Sequence, residues 1–351
     1  MLHPDSVERW INNNTYDCGS YLDVQQLLKA KQEKNLSICI VIPVLEEEKT
    51  IGNILSVIIN KLVKDVPLID NITVIDGGSM DNTISICEKF KPDIALVDQK
   101  NILDHIETSR GKGNQLWKAL YKNKSDIIVY MDSDLKNFHE QYVLGLLGPL
   151  LLESNITFVK GFYDRKLCSK NGKSSSGGRV TELCARPLIN LLYPELAGFI
   201  QPLSGEYAGY TSVFKSIHFT TGYSVEMKIL LEILDNYGIQ CMGQVNLYTK
   251  EHDHQPLNAL TKMSFAIMKT MLEHKNVFTS AMNESLLIKN MSIDHSDQNL
   301  KIRSNTQEHC NHNGNEMNNE YFKTTTVNDK LLVPMNEIET KDTIQISNEY
   351  V

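Results

Sequence analysis

The chain has 351 residues, yet none of its apolar stretches is long enough to cross a bilayer, which takes about 20 apolar residues in a row. The nearest approach, residues 188–203, is broken by Pro194, Glu195 and Pro202. The opening residues carry His3, Asp5, Glu8 and Arg9 where a secretory signal would place its apolar core. Cysteine is scarce and unpaired: Cys18, Cys39, Cys87, Cys168, Cys184, Cys241 and Cys310 are scattered, odd in number and without a C-x-x-C pair. That argues against a disulfide framework and a thiolate zinc site, and predicts reduced thiols used mainly for packing. A basic excess is also missing. The formal net charge of -8 disfavours nucleic acid and anionic membranes, so an anionic substrate must be held by local basic groups. There is no internal repeat. The expectation is a cytoplasmic protein with no nucleic-acid and no membrane partner.

What is present suffices for a full core: 41% of the residues are hydrophobic, and the length suits one large domain, alone or with appendages. From Ser37 onward, short β-branched runs alternate with amphipathic stretches. The pattern predicts strands at 37–42, 71–76 and 93–97, helices at 50–64, 82–90 and 114–122, and a buried strand over 127–131. Strands alternating with helices imply an α/β, mostly parallel sheet flanked by helices. Ligands of such sheets bind beyond the carboxyl ends of the strands, where 43–48, 76–79 and 132–134 all fall. Further on, the pattern predicts strands at 157–161 and 239–247 and helices at 180–192, 224–236 and 257–273, with a Ser/Gly-rich loop over 169–178. From about 276 the chain is polar and Asn-rich, above all at 298–320, and reads as a surface segment. Residues 330–333 regain strand character, which suggests that the end of the chain packs back onto the body.

Five clusters can carry chemistry. Ile127 to Met131 runs into Asp132-Ser133-Asp134; period-two geometry lets the two carboxylates point the same way, a pairing that suits a hard divalent cation. Taken alone, the same tripeptide also serves as a helix-capping turn. Asp76-Gly77-Gly78-Ser79, between a strand and a helix, allows close backbone approach and offers Asp76 to a base or ribose, or is a purely steric turn. Arg110-Gly111-Lys112-Gly113 before a helix suits a diphosphate, or is a solvated basic turn. Ser174 to Thr181 opens a helix with free N–H groups, Arg179 and a hydroxyl, fitting a phosphate or carboxylate, or is a linker with a cap; it does not match the P-loop pattern. Lys250-Glu251-His252-Asp253-His254 offers imidazoles that can complete a metal site with Asp132 or Asp134, or is a surface cluster. Glu226, at the start of a helix, either faces the same cleft or caps its turn. His309, Cys310 and His312 are rejected as a zinc site, because four-ligand spacing is missing.

In order, 43–48, 76–79, 110–113, 132–134, 177–182, Gln201-Pro202-Leu203-Ser204-Gly205-Glu206-Tyr207 and Glu251-His252 resemble the glucosyl-3-phosphoglycerate synthase family over residues 37–273, with a fainter echo at 325–335. The resemblance implies a GT-A type glycosyltransferase with a Rossmann-like sheet and an acceptor-binding C-terminal elaboration, typically a homodimer. It also implies metal-dependent, retaining transfer of glucose from an NDP-glucose such as UDP-glucose to the 2-hydroxyl of 3-phosphoglycerate. On that basis residues 1–36 form a helical extension, 37–160 the nucleotide-sugar half, 161–276 the acceptor half and 277–351 the polar tail. Pro43, Val44, Leu45, Glu47, Asp76, Ser79, Lys112, Asp132 and Ser133 would hold the donor. Asp134 and His252, with Asp132, would bind Mg2+ or Mn2+. Gly178, Arg179, Val180, Thr181, Lys250 and His254 would hold the acceptor. Asp134, Lys112 and Glu226 are the expected catalytic set, with Glu226 positioning sugar or acceptor hydroxyls. Three positions depart from the family pattern: Glu46 for Asn, Lys250 for Arg and His254 for Asn. Lys250 is a point charge where a bidentate fork is usual. A related glycosyltransferase with another donor or acceptor shares the donor features, and a non-catalytic nucleotide-sugar-binding protein would bind without forming product. A nucleotidyltransferase is disfavoured because Glu46-Glu47-Glu48 stands where a basic Gly-rich loop would be expected.

Overall fold

The structure, a computed structural model, describes residues 4–106, 111–164, 178–251, 256–277, 285–289, 322–327 and 329–341. It opens with α1 (Pro4–Asn14), β1 (Thr15–Asp17) and α2 (Val24–Glu33). Next come β2 (Ile38–Val44), α3 (Ile51–Ile58), β3 (Asn71–Asp76), α4 (Thr83–Glu88), β4 (Ala95–Asp98), α5 (Lys112–Ala119), β5 (Ile127–Tyr130), α6 (Gln141–Leu152) and β6 (Phe158–Asp164). The second half holds α7 (Arg186–Leu192), β7 (Tyr207–Tyr210), α8 (Thr211–Lys215), β8 (Phe219–Thr220), α9 (Val225–Tyr237), β9 (Met242–Thr249) and α10 (Leu257–His274). Three short strands follow, β10 (Ser285–Lys289), β11 (Phe322–Thr326) and β12 (Leu331–Leu332).

Eight strands form one sheet in the order β1-β9-β6-β7-β5-β2-β3-β4. All neighbours run parallel except β7, which is antiparallel to both β5 and β6. The seven residues of β2 are all buried because both faces of the sheet are covered. Ile38, Ile40, Ile42 and Val44 face the core under α2, α3 and α6, while Cys39 and Val41 face the core under α5, α9 and α10. Side chains alternating across the strand thus nucleate two cores from one sequence run.

Several boundaries differ from the sequence expectations. The helix expected at 180–192 begins as a π-helical turn, Thr181–Ala185, before α7. The strand expected from residue 239 begins instead at Met242, since Gly238, at φ +80°, ends α9 and a 3-10 turn intervenes. Helix α6 has no amphipathic pattern in the sequence. Every side chain from Tyr142 to Leu151 is buried, so it has no polar face, and Gly145, Gly148 and Pro149 argue against a helix locally. The glycines serve packing: a Cβ on Gly148 would lie 2.1 Å from the Tyr21 ring, and one on Gly145 2.6 Å from Cys18. The first 36 residues also contribute an edge strand, and Trp10 donates from Nε1 to the carbonyls of Ile239 (2.9 Å) and Met242 (3.1 Å).

Near its end the chain returns to the body. β12 pairs antiparallel with β8, and Leu332, Met335 and Ile338 are buried against the α5 and α9 side of the sheet. Trp117 donates to the Val333 carbonyl at 2.8 Å, and Lys215 pairs with Glu339. The Asn-rich stretch 298–320 lies outside the described residues. The described cysteines Cys18, Cys39, Cys87, Cys184 and Cys241 are free, and burial pushes the thiols of Cys18 and Cys87 up to about 11. No helix among the described residues is long and apolar enough to cross a membrane.

Candidate active site

Because β2, β3 and β5 are adjacent and parallel, their carboxyl ends deliver three polar segments to one edge of the sheet. Gln115 on α5 stitches that edge, donating from Nε2 to the carbonyls of Val44 (3.0 Å) and Ile75 (2.8 Å). Ser133 ties β5 to β2 by donating to the Pro43 carbonyl at 2.8 Å. Pro43 and Val44 are buried and their carbonyls are already occupied, so at the ends of β2 and β3 it is Leu45, Glu47 and Ser79 that reach the surface, and Lys112 and Asp132 beside them are partly exposed. Asp76 is engaged in its own turn: it accepts from Gly78 N (2.8 Å), Ser79 N (3.0 Å) and Ser79 Oγ (2.6 Å). Ser79 Oγ in turn accepts from Glu46 N at 3.0 Å, joining the two loops.

Beside this edge lies a chain of alternating charges. Lys112, the first residue of α5, places Nζ 2.6 Å from Asp132 Oδ1 and 2.7 Å from Glu226 Oε1. The start of α5 fits there only because its glycines are bare: a Cβ on Gly113 would lie 1.9 Å from the Thr220 carbonyl, and one on Gly111 2.4 Å from that of Thr221. Lys250 takes the other oxygen of Asp132 at 3.1 Å, and its Nζ also lies 2.6 Å from Glu206 Oε1 and 3.7 Å from Asp134 Oδ1. Burial pushes the Asp132 carboxyl upward, but Lys112 and Lys250 outweigh it and hold the group well below the usual carboxylate range. Burial likewise pushes both ammonium groups down, and the facing carboxylates more than reverse it. Burial leaves Glu206 above its ordinary value even with Lys250 against it. A Cβ on Gly205 would lie 2.2 Å from Asp132 Oδ1, so a bare backbone here forms the wall of the Asp132 site.

Two residues of this cluster had no expected role. Glu206 lies in the quoted 201–207 motif, and only the tertiary structure pairs it with Lys250. Lys160 is hidden in the apolar run of β6: it is 1% exposed, donates to the Ser204 carbonyl at 2.8 Å and lies 4.5 Å from the centroid of the Tyr207 ring. Burial pushes its ammonium down to about 7, with Glu226 opposing. The inward position of a single lysine on a strand leaves no local signal.

The expected acceptor segment is only partly described. Gly178 adopts φ +94°, Arg179 is exposed, and Val180 and Thr181 are buried in the turn that leads into α7. Lys250, expected beside them, is 4% exposed and held within the carboxylate cluster. His252 and His254 lie outside the described residues, as do Arg110 and 174–177.

Among the described residues no three His, Cys, Asp or Glu side chains gather as a metal cage. The acidic edge nevertheless fits a divalent cation. Asp134 Oδ1 is buried without a hydrogen-bond partner. Nearby, burial pushes the Glu47 carboxyl up to about 7 against a Thr50 hydrogen bond, and Asp134 and Asp132 add repulsion. With Lys250 Nζ no nearer than 3.7 Å and two further carboxylates close by, a carboxylate oxygen that accepts no hydrogen bond is one a hard cation can satisfy.

Residues 39–199 match the family model described as Glycosyl transferase family 2. The chain is 41% identical over 264 residues to the glucosyl-3-phosphoglycerate synthase of Petrotoga mobilis, spanning 75% of this chain and 81% of that protein. Among solved structures it is similar to mannosyl-3-phosphoglycerate synthase from Rubrobacter xylanophilus, with a TM-score of 0.79, 29% identity and coverage of 94% of this chain and 99% of that one. It is also similar to glucosyl-3-phosphoglycerate synthase from Mycobacterium tuberculosis in complex with Mn2+, UDP-glucose and phosphoglyceric acid, with a TM-score of 0.71, 31% identity and coverage of 90% and 95%. The architecture is the GT-A glycosyltransferase fold.

Proposed function

The chain belongs to the glucosyl-3-phosphoglycerate synthase family, and from that membership we propose that it is a metal-dependent, retaining glycosyltransferase moving glucose from an NDP-glucose to the 2-hydroxyl of 3-phosphoglycerate. The observation that carries the reading is Lys112 held between Asp132 and Glu226 beside the acidic end of β5. A cation fixed at the carboxyl edge of a parallel sheet suits a leaving diphosphate, whose charge grows as the sugar bond breaks.

In this reading Leu45, Glu47 and Ser79 bound the nucleotide, and Asp76 acts by shaping the turn that presents Ser79. Asp134 and His252, with Asp132 beside them, would hold Mg2+ or Mn2+, which would supply Lewis-acid charge to the diphosphate. Lys112 neutralises the same oxygens and keeps Glu226 aimed at the sugar or acceptor hydroxyls. Gly178, Arg179, Val180 and Thr181 grip the phosphoglycerate. Lys250 sets the charge and position of Asp132 from behind instead of clamping the acceptor. Attack from the front face lets a departing phosphate oxygen take the acceptor proton, so no carboxylate nucleophile is required.

The homodimer is taken from the family pattern alone, and light scattering reads it as mass. The free thiols support a reducing, cytoplasmic setting. The likeness to the mannosyl enzyme favours one further donor for comparison. The test incubates the protein with UDP-, GDP- and ADP-glucose and GDP-mannose, plus 3-phosphoglycerate, with and without Mg2+ or Mn2+, and weighs the products. Glucosyl-3-phosphoglycerate formed only with metal, and lost in Asp134→Ala with the fold intact, is expected. Full activity of that variant overturns the metal assignment.

A further inference from the structure

Helix α9 carries Glu226 in its first turn, yet its N-cap residue, Ser224, provides no side-chain cap of its own. The first amides of a helix need acceptors. Here one comes from far along the chain: Asp329 Oδ2 accepts from Ser224 N at 3.3 Å and from Ser224 Oγ at 2.8 Å, across 105 residues of sequence. The other carboxylate oxygen occupies the space above Gly222, where a Cβ would lie 1.8 Å from Asp329 Oδ1. Burial lifts the Asp329 carboxyl above its usual range, opposed by hydrogen bonds from Ser224 and from the Gly222 backbone.

The chain around Asp329 fixes the same corner twice more. Thr221 N donates to the Lys330 carbonyl (2.9 Å), and Lys330 N donates to Thr221 Oγ1 (3.0 Å). On its other side, the Thr221 carbonyl accepts from Asn114 N at 3.0 Å, in the first turn of α5. Val333 accepts from Trp117, one helical turn further along α5. The turn 220–224 is therefore held between the segment 329–333, a C-terminal strap, and the start of α5, and the Lys112–Glu226 ion pair of 2.7 Å bridges the two helix starts so held.

We infer that Asp329 is a positioning residue for the transfer reaction, capping α9 from the C-terminal strap so that Glu226 and Lys112 meet at the donor. The inference rests on the proposed reaction for the identity of the donor, but not for the capping geometry. A displacement of Glu226 by a fraction of an ångström to about 1 Å is enough to cost 10- to 100-fold in rate.

The test compares wild type, Asp329→Ala, Glu226→Gln and the double variant in the full chain. Asp329→Ala is expected to lower kcat/KM for the NDP-glucose about 10- to 30-fold. The KM for 3-phosphoglycerate should stay within about twofold, because the 178–181 segment is not on the strap. In the Glu226→Gln background the added loss should shrink below about threefold, the mark of two residues acting through one contact. Independent, multiplying losses, or an equal rise in the KM values of both substrates with kcat unchanged, overturn the inference. If Asp329→Ala fails to fold, Ser224→Ala carries the same comparison by removing the hydroxyl that donates to Asp329, together with its 2.8 Å contact to Thr220 Oγ1. Calorimetric titration with UDP and Mn2+ gives a readout without turnover: binding weakened about fivefold or more in Asp329→Ala supports the assignment, and unchanged binding overturns it. A wild type that binds UDP and Mn2+ yet makes no product would defeat the reaction reading and leave the binding comparison to judge Asp329.

Discussion

The Nζ of Lys112 lies 2.6 Å from Oδ1 of Asp132, joining the first residue of α5 to the carboxyl end of β5. Loss of one partner of a fully buried pair costs roughly 3–5 kcal/mol. About a fifth of each side chain is exposed here, so Lys112→Ala is expected to lose about 2 kcal/mol of stability and at least about 100-fold in transfer rate. Urea unfolding and initial rates check the two numbers separately. A variant that transfers glucose normally would remove Lys112 from the mechanism.

Lys250 and Glu206 approach to 2.6 Å and are 5% and 1% exposed, so each is costly to leave alone. Lys250→Met should destabilise by about 3 kcal/mol, whereas Lys250→Met with Glu206→Gln should recover roughly half of that, because no uncompensated Glu206 charge remains. Denaturant midpoints of the two variants decide it. A double variant less stable than the single one contradicts the pairing.

Lys160 makes stability depend on alkaline pH. Its folded pKa, about 7, lies below the ordinary lysine value of 10.5 because of burial. Between those values the unfolded chain binds more protons than the folded one, so the contribution of Lys160 to stability rises with pH across that window. The limiting slope is about 1.4 kcal/mol per pH unit. Melting temperatures from pH 7 to 9 should rise in wild type relative to Lys160→Met. Parallel curves would show that the buried ammonium keeps its proton.

Glu46 adopts φ +60° on an exposed loop. That conformation costs an ordinary side chain roughly 1–2 kcal/mol, and Asn tolerates it better. Glu46→Asn is expected to raise the melting temperature by about 1–3 °C. It should leave the bond from Glu46 N to Ser79 Oγ in place, since that bond uses only backbone on the Glu46 side. A fall in melting temperature would mean that the Glu46 carboxylate has a stabilising partner in solution.

The elements whose pattern is local were legible in the residues. β2, β3 and β5 are short apolar runs ending in polar turns, and parallel pairing brings those turns to one edge without further information. Helix α6 and strand β7 were not legible. The first is apolar on all sides and holds two glycines and a proline, and the second is four residues long with Gly209 in its middle. Asp132, Asp134 and Lys112 announced themselves by spacing, whereas Glu206, Lys160 and Asp329 are single charges in segments of other character.

By itself, then, the order of residues along the chain determined the alternation of strands and helices, the acidic end of β5 and the glycine-lined start of α5, because periodicity and backbone freedom act over a few residues. The fold alone decided which charges meet. Insertion of antiparallel β7 between β5 and β6 lays the Gly205-Glu206 turn against Asp132, β9 ends where Lys250 can face both, and the strap carries Asp329 to the start of α9. Those contacts span tens to more than a hundred residues, and a Coulomb attraction screened over roughly 10 Å of salt solution can be read only after the backbone has brought its partners together.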